Sequence, residues 1–586
     1  MSKYIFEISW EIANKVGGIH TVLKSKAKYL KNHYQDNYLV IGPYIANKSE
    51  VEFKISNPPS QFALIIDNLK QKGINVYYGE WIIEGQINGF LIDFSRYLEN
   101  VNVLKHILWE KFQIDSLRTG KDYDEPIAWS KAVSDFIKEL AANRFNDSIF
   151  HFHEWLSGGA ILFLKAEGYH LKTIFTTHAT ILGRTLMANN INFWDIDINP
   201  QQSAYDFFIE AKYGVEKNAA QQATLLTTIS NITAKEVAKL LNREVDAILP
   251  NGIDINRFPT FEEIAFLHRR NKYQLLEFIL YYFTPYFTKS CPIKNSLIFF
   301  TSGRKEITNK GFDITIEALG KLNNEMKAKD IDKNVYMILM IPDEFNSINP
   351  QIMQHILSYR SLEEYIDNLT EEIKSRILHS LIHQQQPEFI FSQEEMIDIY
   401  QILNIIKKPL PMSAPLSTHI FNNDNEIIKL CQAANLLNRQ EDKVKIIFYP
   451  IYAHAADSLI NLDYYNVING CHLGIFPSLY EPWGYTPLET LAAGTIAITT
   501  DLTGFASYLQ EHKHIDMNNQ KGLYILQRYS KQREDIVNDL YNLLLKIVNM
   551  SRIERIHNKY EAKKLANICD WSKLINHYIA LYYKLL

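Results

Sequence analysis

The chain has 586 residues, 47% hydrophobic and 22% charged, with a formal net charge of −5. That length allows two or three domains with sizeable cores. The composition is that of an ordinary soluble globular protein, and the slight acidity leaves no basic excess to neutralise a nucleic-acid backbone. No apolar run approaches the roughly 20 residues needed to span a bilayer. Glu7 interrupts the N-terminal apolar run, making it a poor signal peptide and a good first core strand. Cys291, Cys431, Cys471 and Cys569 lack metal-ligand spacing and read as reduced core residues of a cytoplasmic protein.

Along the first half, short apolar strands alternate with helices. Residues 4–8 read as a strand and 21–30 as a helix. Strands follow at 38–41 and 149–153, a helix at 158–165, strands at 171–176 and 225–228, and a helix at 234–241. This alternation predicts a parallel, doubly wound sheet. Asn251-Gly252, with Asp254 and Pro259, marks a turn at the edge of the first domain. A second β/α series begins at 297–300, continues through a helix at 314–322 and a strand at 336–341, then resumes at 444–448 and runs to Thr500. Between residues 345 and 435 the strands stop, and 352–358, 362–380 and 396–406 carry helical apolar spacing. This is a helical insertion: an ordinary surface excursion or an oligomerisation surface. The fold class is therefore α/β, with two doubly wound domains whose cleft, at the strand C-terminal ends, is where ligands bind.

The motifs fall at such ends. Lys15-Val-Gly17-Gly18 follows the first strand and opens a helix, where backbone amides and a lysine suit an anion, although a plain strand-to-helix turn has the same look. His151-Phe-His153-Glu-Trp ends one strand and Thr177-His178 through Arg184 follows the next. The His-x-His pair has no third ligand at metal spacing, so substrate contact or core packing fits better than metal, with His178 the stronger cleft candidate and Arg184 an anion binder. Arg304 and Lys310 share a strand-to-helix loop and could stabilise a diphosphate leaving group. The most informative stretch is Phe476 to Gly494. A buried strand, 473–476, ends in the loop Tyr480-Glu481-Pro-Trp-Gly-Tyr485-Thr486-Pro487, and a helix opening at Pro487 runs over 488–493. The helix start suits a diphosphate and Glu481 and Glu489 can accept from sugar hydroxyls, so the stretch reads as a nucleotide-sugar site. No Walker-type loop and no nucleophile elbow is present.

Taken in order, Glu7-Ile-Ser-Trp-Glu-Ile-Ala-Asn-Lys-Val-Gly-Gly-Ile, His151-Phe-His-Glu-Trp, Thr177-His-Ala-Thr-Ile-Leu-Gly-Arg, Pro250-Asn-Gly-Ile, Ser302-Gly-Arg with Asn309-Lys-Gly, Asp442-Lys-Val-Lys-Ile-Ile-Phe-Tyr-Pro and Tyr480-Glu-Pro-Trp-Gly-Tyr-Thr-Pro resemble the glycogen synthases of the animal and fungal type, glycosyltransferase family 3. The resemblance runs from about residue 4 to 580. It implies a GT-B architecture: a domain over 1–260 rejoined by a C-terminal helix at 570–586, a nucleotide-sugar domain over 261–569, and a tetramer built by the 345–435 insertion. It implies retaining transfer of glucose from UDP-glucose to the non-reducing 4-hydroxyl end of an α-1,4-glucan such as glycogen, with no metal and no cofactor. Arg304 and Lys310 then hold the diphosphate, Tyr485 and Thr486 the nucleotide and phosphates, Glu481 the glucose and Glu489 the ribose. His178, Arg184 and the Lys15–Gly18 loop lie opposite.

The chain departs from the family's arginine-rich effector helix. Arg552, Arg555 and Lys559 stay at helical spacing, but Ile553 and Glu561 stand where the family has further arginines. Glucose 6-phosphate could still bind Arg555 and Lys559 with His472, and a weakened or absent response, with a solvated helix face, is as compatible with the sequence. No counterpart of the long phosphorylated tail of the animal enzymes is expected. Two other functions stay open on the residues alone: a GT-B enzyme using ADP-glucose, and a catalytically silent glucan-binding scaffold.

Overall fold

Apolar runs rich in Ile, Val, Leu and Phe, bounded by Gly, Pro or polar turns, form strands buried on both faces, as parallel sheets covered by helices require. The computed structural model describes residues 3–194, 196–287, 293, 295–383, 390–406, 413–422 and 424–586; Cys291 and parts of the expected insertion lie outside them. Nine strands make the first sheet: β1 Ile5–Ile8, β2 Tyr38–Pro43, β3 Phe53–Ile55, β4 Val76–Trp81, β5 Ile87–Ile92, β6 Ile149–His153, β7 Lys172–Thr176, β8 Leu225–Thr228 and β9 Ala247–Ile248. Their order is β3-β4-β5-β2-β1-β6-β7-β8-β9. β1 lies between β2 and β6 in parallel register, Ile5 opposite Tyr38 and Ile149. Only the β3–β4 and β4–β5 pairs are antiparallel.

The second sheet has β10 Ser296–Ser302, β11 Asn334–Met340, β14 Val444–Tyr449, β15 Leu473–Ile475, β16 Ile496–Thr500 and β17 Leu523–Leu526. All pairs are parallel, in the order β14-β11-β10-β15-β16-β17. The stretch expected to be strand-free holds a two-stranded antiparallel ladder, β12 Ser347–Ile348 with β13 His419–Ile420. The periodic segments at 352–358 and 362–380 are one helix, Pro350–Ile382, because no glycine or proline separates them. It packs on the helix Gln393–Ile406.

The last helix, Trp571–Leu585, crosses back from the second sheet and packs on the first helix, Gly18–Tyr34. Trp571 N–H donates to the Ile253 carbonyl at 3.0 Å, and its indole N–H donates to Ser25 Oγ at 2.8 Å. Gly252 lies against this indole, where a Cβ would come within 2.5 Å of the ring. Tyr578 donates to the Leu249 carbonyl, and Tyr582 meets His151. Cys431, Cys471 and Cys569 are buried free thiols. Among the described residues no helix is long and apolar enough to cross a membrane.

Candidate active site

The C-terminal ends of β1, β7, β10 and β15 release loops into one cleft between the two sheets, of about 560 Å³. Gly17, Gly18, His178, Arg184, Arg304, Lys310, Glu481 and Tyr485 line it together. The lining does not include Lys15, Thr486 or Glu489. Lys15 is exposed. Glu489 accepts from Tyr465 OH at 3.1 Å, and burial pushes its carboxyl up to about 7.

On the side of the second sheet, Lys310 Nζ lies 2.6 Å from Glu481 Oε2. Arg304 is largely exposed and pairs with Glu306 at 2.9 Å. Gly311, which follows Lys310, sits at φ +72°, where a Cβ would meet the Pro477 carbonyl oxygen at 2.3 Å. Glycine here lets the lysine loop lie flat against the Phe476–Tyr480 segment. The helix after the Glu481 loop begins at Tyr485, two residues before Pro487, because Gly484 at φ +99° makes the turn. Proline tolerates this first-turn position because its missing N–H would have no intrahelical partner there. Tyr485 OH donates to the Gly252 carbonyl at 3.2 Å, joining the loop to the crossing between sheets.

On the opposite wall, the Thr177–Arg184 segment, a loop running into the helix Ile181–Ala188, is pinned by buried carboxylates that sequence spacing did not expose. His178 N–H donates to Glu154 Oε1 at 3.0 Å; Thr177 Oγ1 and Ile181 N–H donate to Glu216; Thr180 N–H and Oγ1 donate to Glu236. Burial, with Glu154 nearby, pushes Glu216 up to about 8, and burial pushes Glu236 up to about 7. Arg184 Nη2 lies 3.3 Å from Glu154 Oε1. Glu11 orders the glycine loop, its Oε2 accepting from Gly17 and His20 N–H, both at 2.9 Å. Contacts also cross the cleft: Tyr480 OH reaches both oxygens of Glu236 at 3.0 Å, and Ser230 Oγ donates to the Pro482 carbonyl at 3.0 Å. Asn251 lines the cleft with a buried Oδ1 that has no partner among the described residues. It belongs to a motif read as a domain edge, and only the fold shows its place at the site.

Glu7, His151 and His153 do converge, a grouping that linear spacing hid. The cationic position beside them is filled by Lys26, whose Nζ is 2.5 Å from Glu7 Oε1. Both His151 ring nitrogens are taken, by Tyr582 OH at 2.7 Å and Thr176 Oγ1 at 2.6 Å.

Arg552, Arg555, Lys559 and His472 lie apart from the cleft, with His268 and Lys272 of the helix Phe261–Phe283 added to them. Lys559 Nζ is 2.9 Å from His268 Nδ1, and the His268 and His472 rings are 5.2 Å apart. Among the described residues no carboxylate pairs with Lys272, Arg555 or Lys559. Burial depresses Lys559 to about 7, with Lys272 and Arg555 also opposing its charge. Burial, then Arg555 and Arg552, lowers Lys272.

Residues 7–585 match the glycogen synthase family model. The chain is 33% identical to the glycogen [starch] synthase of Neurospora crassa, over 98% of this chain and 82% of that one. It is 33% identical to isoform 1 from Saccharomyces cerevisiae, over 98% and 84%, and 32% identical to the Caenorhabditis elegans enzyme, over 98% and 86%. Its fold is like that of the solved catalytic domain of starch synthase IV from Arabidopsis thaliana bound to ADP and acarbose, with a TM-score of 0.52 at 13% identity over 100% of this chain and 99% of that one. Two Rossmann-like sheets facing a cleft, the ordered site loops and a family match along nearly the whole length lead to one conclusion: the chain is a GT-B glycosyltransferase and belongs to the glycogen synthase family.

Proposed function

We propose that the protein transfers glucose from UDP-glucose to the non-reducing 4-hydroxyl of an α-1,4-glucan, with retention at the anomeric carbon. The observation that carries this reading is the convergence of Arg304, Lys310, Glu481, Tyr485, His178 and the Gly17–Gly18 loop on one cleft. Among the described residues, every carboxylate lining the cleft is engaged: Glu11 by loop amides, Glu306 by Arg304 and Asn309, Glu481 by Lys310. That engagement favours same-face attack over a carboxylate nucleophile. The bond from C1 to the phosphate oxygen breaks through an oxocarbenium-like state, the acceptor O4 bonds to C1 on the same face, and its proton passes to the departing phosphate. Arg304 and Lys310 counter the charge on the leaving diphosphate with no metal in the step. Glu481 holds the glucose hydroxyls, Arg184 an anionic group of the donor, and Thr486 and Glu489 the nucleotide end. Incubating the protein with glycogen and either UDP-glucose or ADP-glucose tests this. Release of UDP is expected; release only from ADP-glucose overturns the donor, and no release favours a silent scaffold.

The cationic cluster around Lys559 is proposed as a glucose 6-phosphate site that activates the enzyme. What supports it is buried Lys559 with half-buried Lys272 and Arg555 and no paired carboxylate among the described residues, an arrangement that a phosphate dianion relieves. Lys559 titrates near 7 when folded against 10.5 ordinarily. The unfolded chain therefore binds more protons between those values, and stability rises with pH across that window. An arriving dianion favours the charged lysine, so glucose 6-phosphate binding at pH 8 is expected to take up protons. Calorimetry in two buffers of different ionisation enthalpy reads this directly, and heats that do not depend on the buffer would remove Lys559 from the site.

The paired helices Pro350–Ile382 and Gln393–Ile406 are proposed to assemble a cytoplasmic homotetramer. Leu378, Leu381, Ile382 and Ile397 are large, apolar and exposed on them, and such a patch seeks cover. Light scattering on Leu378→Glu/Ile397→Glu is expected to show smaller particles than the unsubstituted chain; an unchanged mass places the assembly surface elsewhere.

A further inference from the structure

A chain of one ion pair followed by two hydrogen bonds runs from beneath β1 to the cleft. Lys26 Nζ lies 2.5 Å from Glu7 Oε1. The same carboxylate oxygen is 2.8 Å from His153 Nε2. His153 Nδ1 is 3.1 Å from His178 Nε2. All four side chains are buried, and His178 lines the cleft. His178 Nδ1 has no hydrogen-bond partner among the described residues.

Read outward from the carboxylate, the chain allows one placement of protons. Burial alone would raise the Glu7 carboxyl, but Lys26 and His151 beside it bring it below its usual value, so it is ionised and only accepts. Tyr38 OH donates to its other oxygen. His153 therefore carries its proton on Nε2. Burial and the charge of Lys26 keep its ring neutral, so Nδ1 is bare. A bare Nδ1 can only accept, which puts a proton on His178 Nε2. Burial, with His153 and Lys26 nearby, keeps His178 neutral as well, so its Nδ1 is also bare. The tautomer of a cleft imidazole is thus decided two side chains away, at Glu7, as outer partners commonly fix a histidine tautomer.

We propose that Glu7 and His153 are positioning residues that hold His178 as its Nε2–H tautomer, so that Nδ1 meets the transferred sugar as the acceptor of a hydroxyl proton. This rests on the reading of the cleft as a glucosyl-donor site. It makes His178 a specificity element: a hydroxyl that can donate is bound, and a group that can only accept is not. Glu7→Gln can turn its amide N–H toward His153 Nε2, which shifts both imidazole protons by one place and leaves His178 Nδ1 a donor. Replacing the carboxylate also removes the counter-ion of Lys26, which contacts the same oxygen; burial already lowers its pKa, so its amine sheds a proton and can accept beside a reversed amide.

Deoxyfluoro donors separate the two polarities, because fluorine cannot donate. With the unsubstituted protein, replacing the hydroxyl that faces His178 is expected to lower kcat/KM by about 10- to 100-fold. In Glu7→Gln the same replacement is expected to cost several-fold less, with the other positions unchanged. Each comparison sets the fluoro-to-hydroxy ratio of one protein against that of the other, so fluorine's electronic effect on the chemistry cancels. His153→Asn, which can keep an acceptor oxygen near the Nδ1 position, is expected to preserve the discrimination that His153→Leu loses. An identical fluorine profile in Glu7→Gln overturns the proposal. If Glu7→Gln does not fold, 15N spectra of the unsubstituted protein labelled in histidine decide it. A bare Nδ1 with a protonated Nε2 at His178 is expected, and a protonated Nδ1 overturns it. Failure of the unsubstituted enzyme to use UDP-glucose would count against the donor reading alone, because the spectra need no turnover.

Discussion

Lys310→Ala is expected to lower kcat by about 10²- to 10³-fold, the loss typical of removing one preorganised electrostatic donor. Lys310 is placed for this role by three features. Gly311 lets its loop approach Pro477, its ammonium lies 2.6 Å from Glu481, and both side chains are largely buried in the cleft wall. A diphosphate entering the cleft meets a cation already aimed, and little reorganisation is needed as charge develops. Arg304→Ala is expected to be of similar size but to act partly through KM, because the arginine is mostly exposed and must leave Glu306 to reach a donor. Steady-state kinetics on both variants, with melting curves to confirm folding, reads the difference. Near-normal turnover in either would sink the leaving-group argument for that residue.

The parallel β/α frame was legible because its strands are buried on both faces and therefore read as continuous apolar runs. The antiparallel edge of the first sheet was not. β4 and β5 place Gly79 opposite Gly89, and glycine in a ladder carries no strand signal. Site residues at strand ends were legible for a related reason: a short loop must follow each strand, and charged residues in such loops face the cleft. What supports those residues was hidden. Glu11, Glu216, Glu236 and Lys26 sit inside helices or loops, and each acts on a partner that only tertiary folding brings near. The same holds for the basic cluster, where Lys559 was readable from its own helix, whereas His268 and Lys272 come from a helix nearly three hundred residues earlier. Lys15 shows the converse: a lysine beside glycines suggests a phosphate loop, yet here the glycines line the cleft and the lysine does not.

Gly484→Ala is expected to lower kcat/KM by about 10²-fold in a protein that still folds, because displacing a site loop by about 1 Å can cost that much. At φ +99° an alanine is strained by about 1–3 kcal/mol. Its Cβ would lie 2.4 Å from Thr503 Cγ2. Thr503 cannot easily yield: it is fully buried, and its hydroxyl meets Thr499 Oγ1 at 2.8 Å. On the other side, Gly504 N–H donates to the Glu481 carbonyl at 3.0 Å, and any Cβ on Gly504 would strike the Pro482 carbonyl oxygen. The two segments are therefore locked backbone to backbone, and the strain must be released by the Glu481–Tyr485 loop. That loop carries the carboxylate paired with Lys310 and the tyrosine that reaches Gly252, so both move together. A melting temperature lowered by only a few degrees, alongside the kinetic loss, is the expected pair of results. A variant with unchanged kcat/KM would show that the chemistry tolerates a shifted loop, and the case for preorganisation at Glu481 would fall with it.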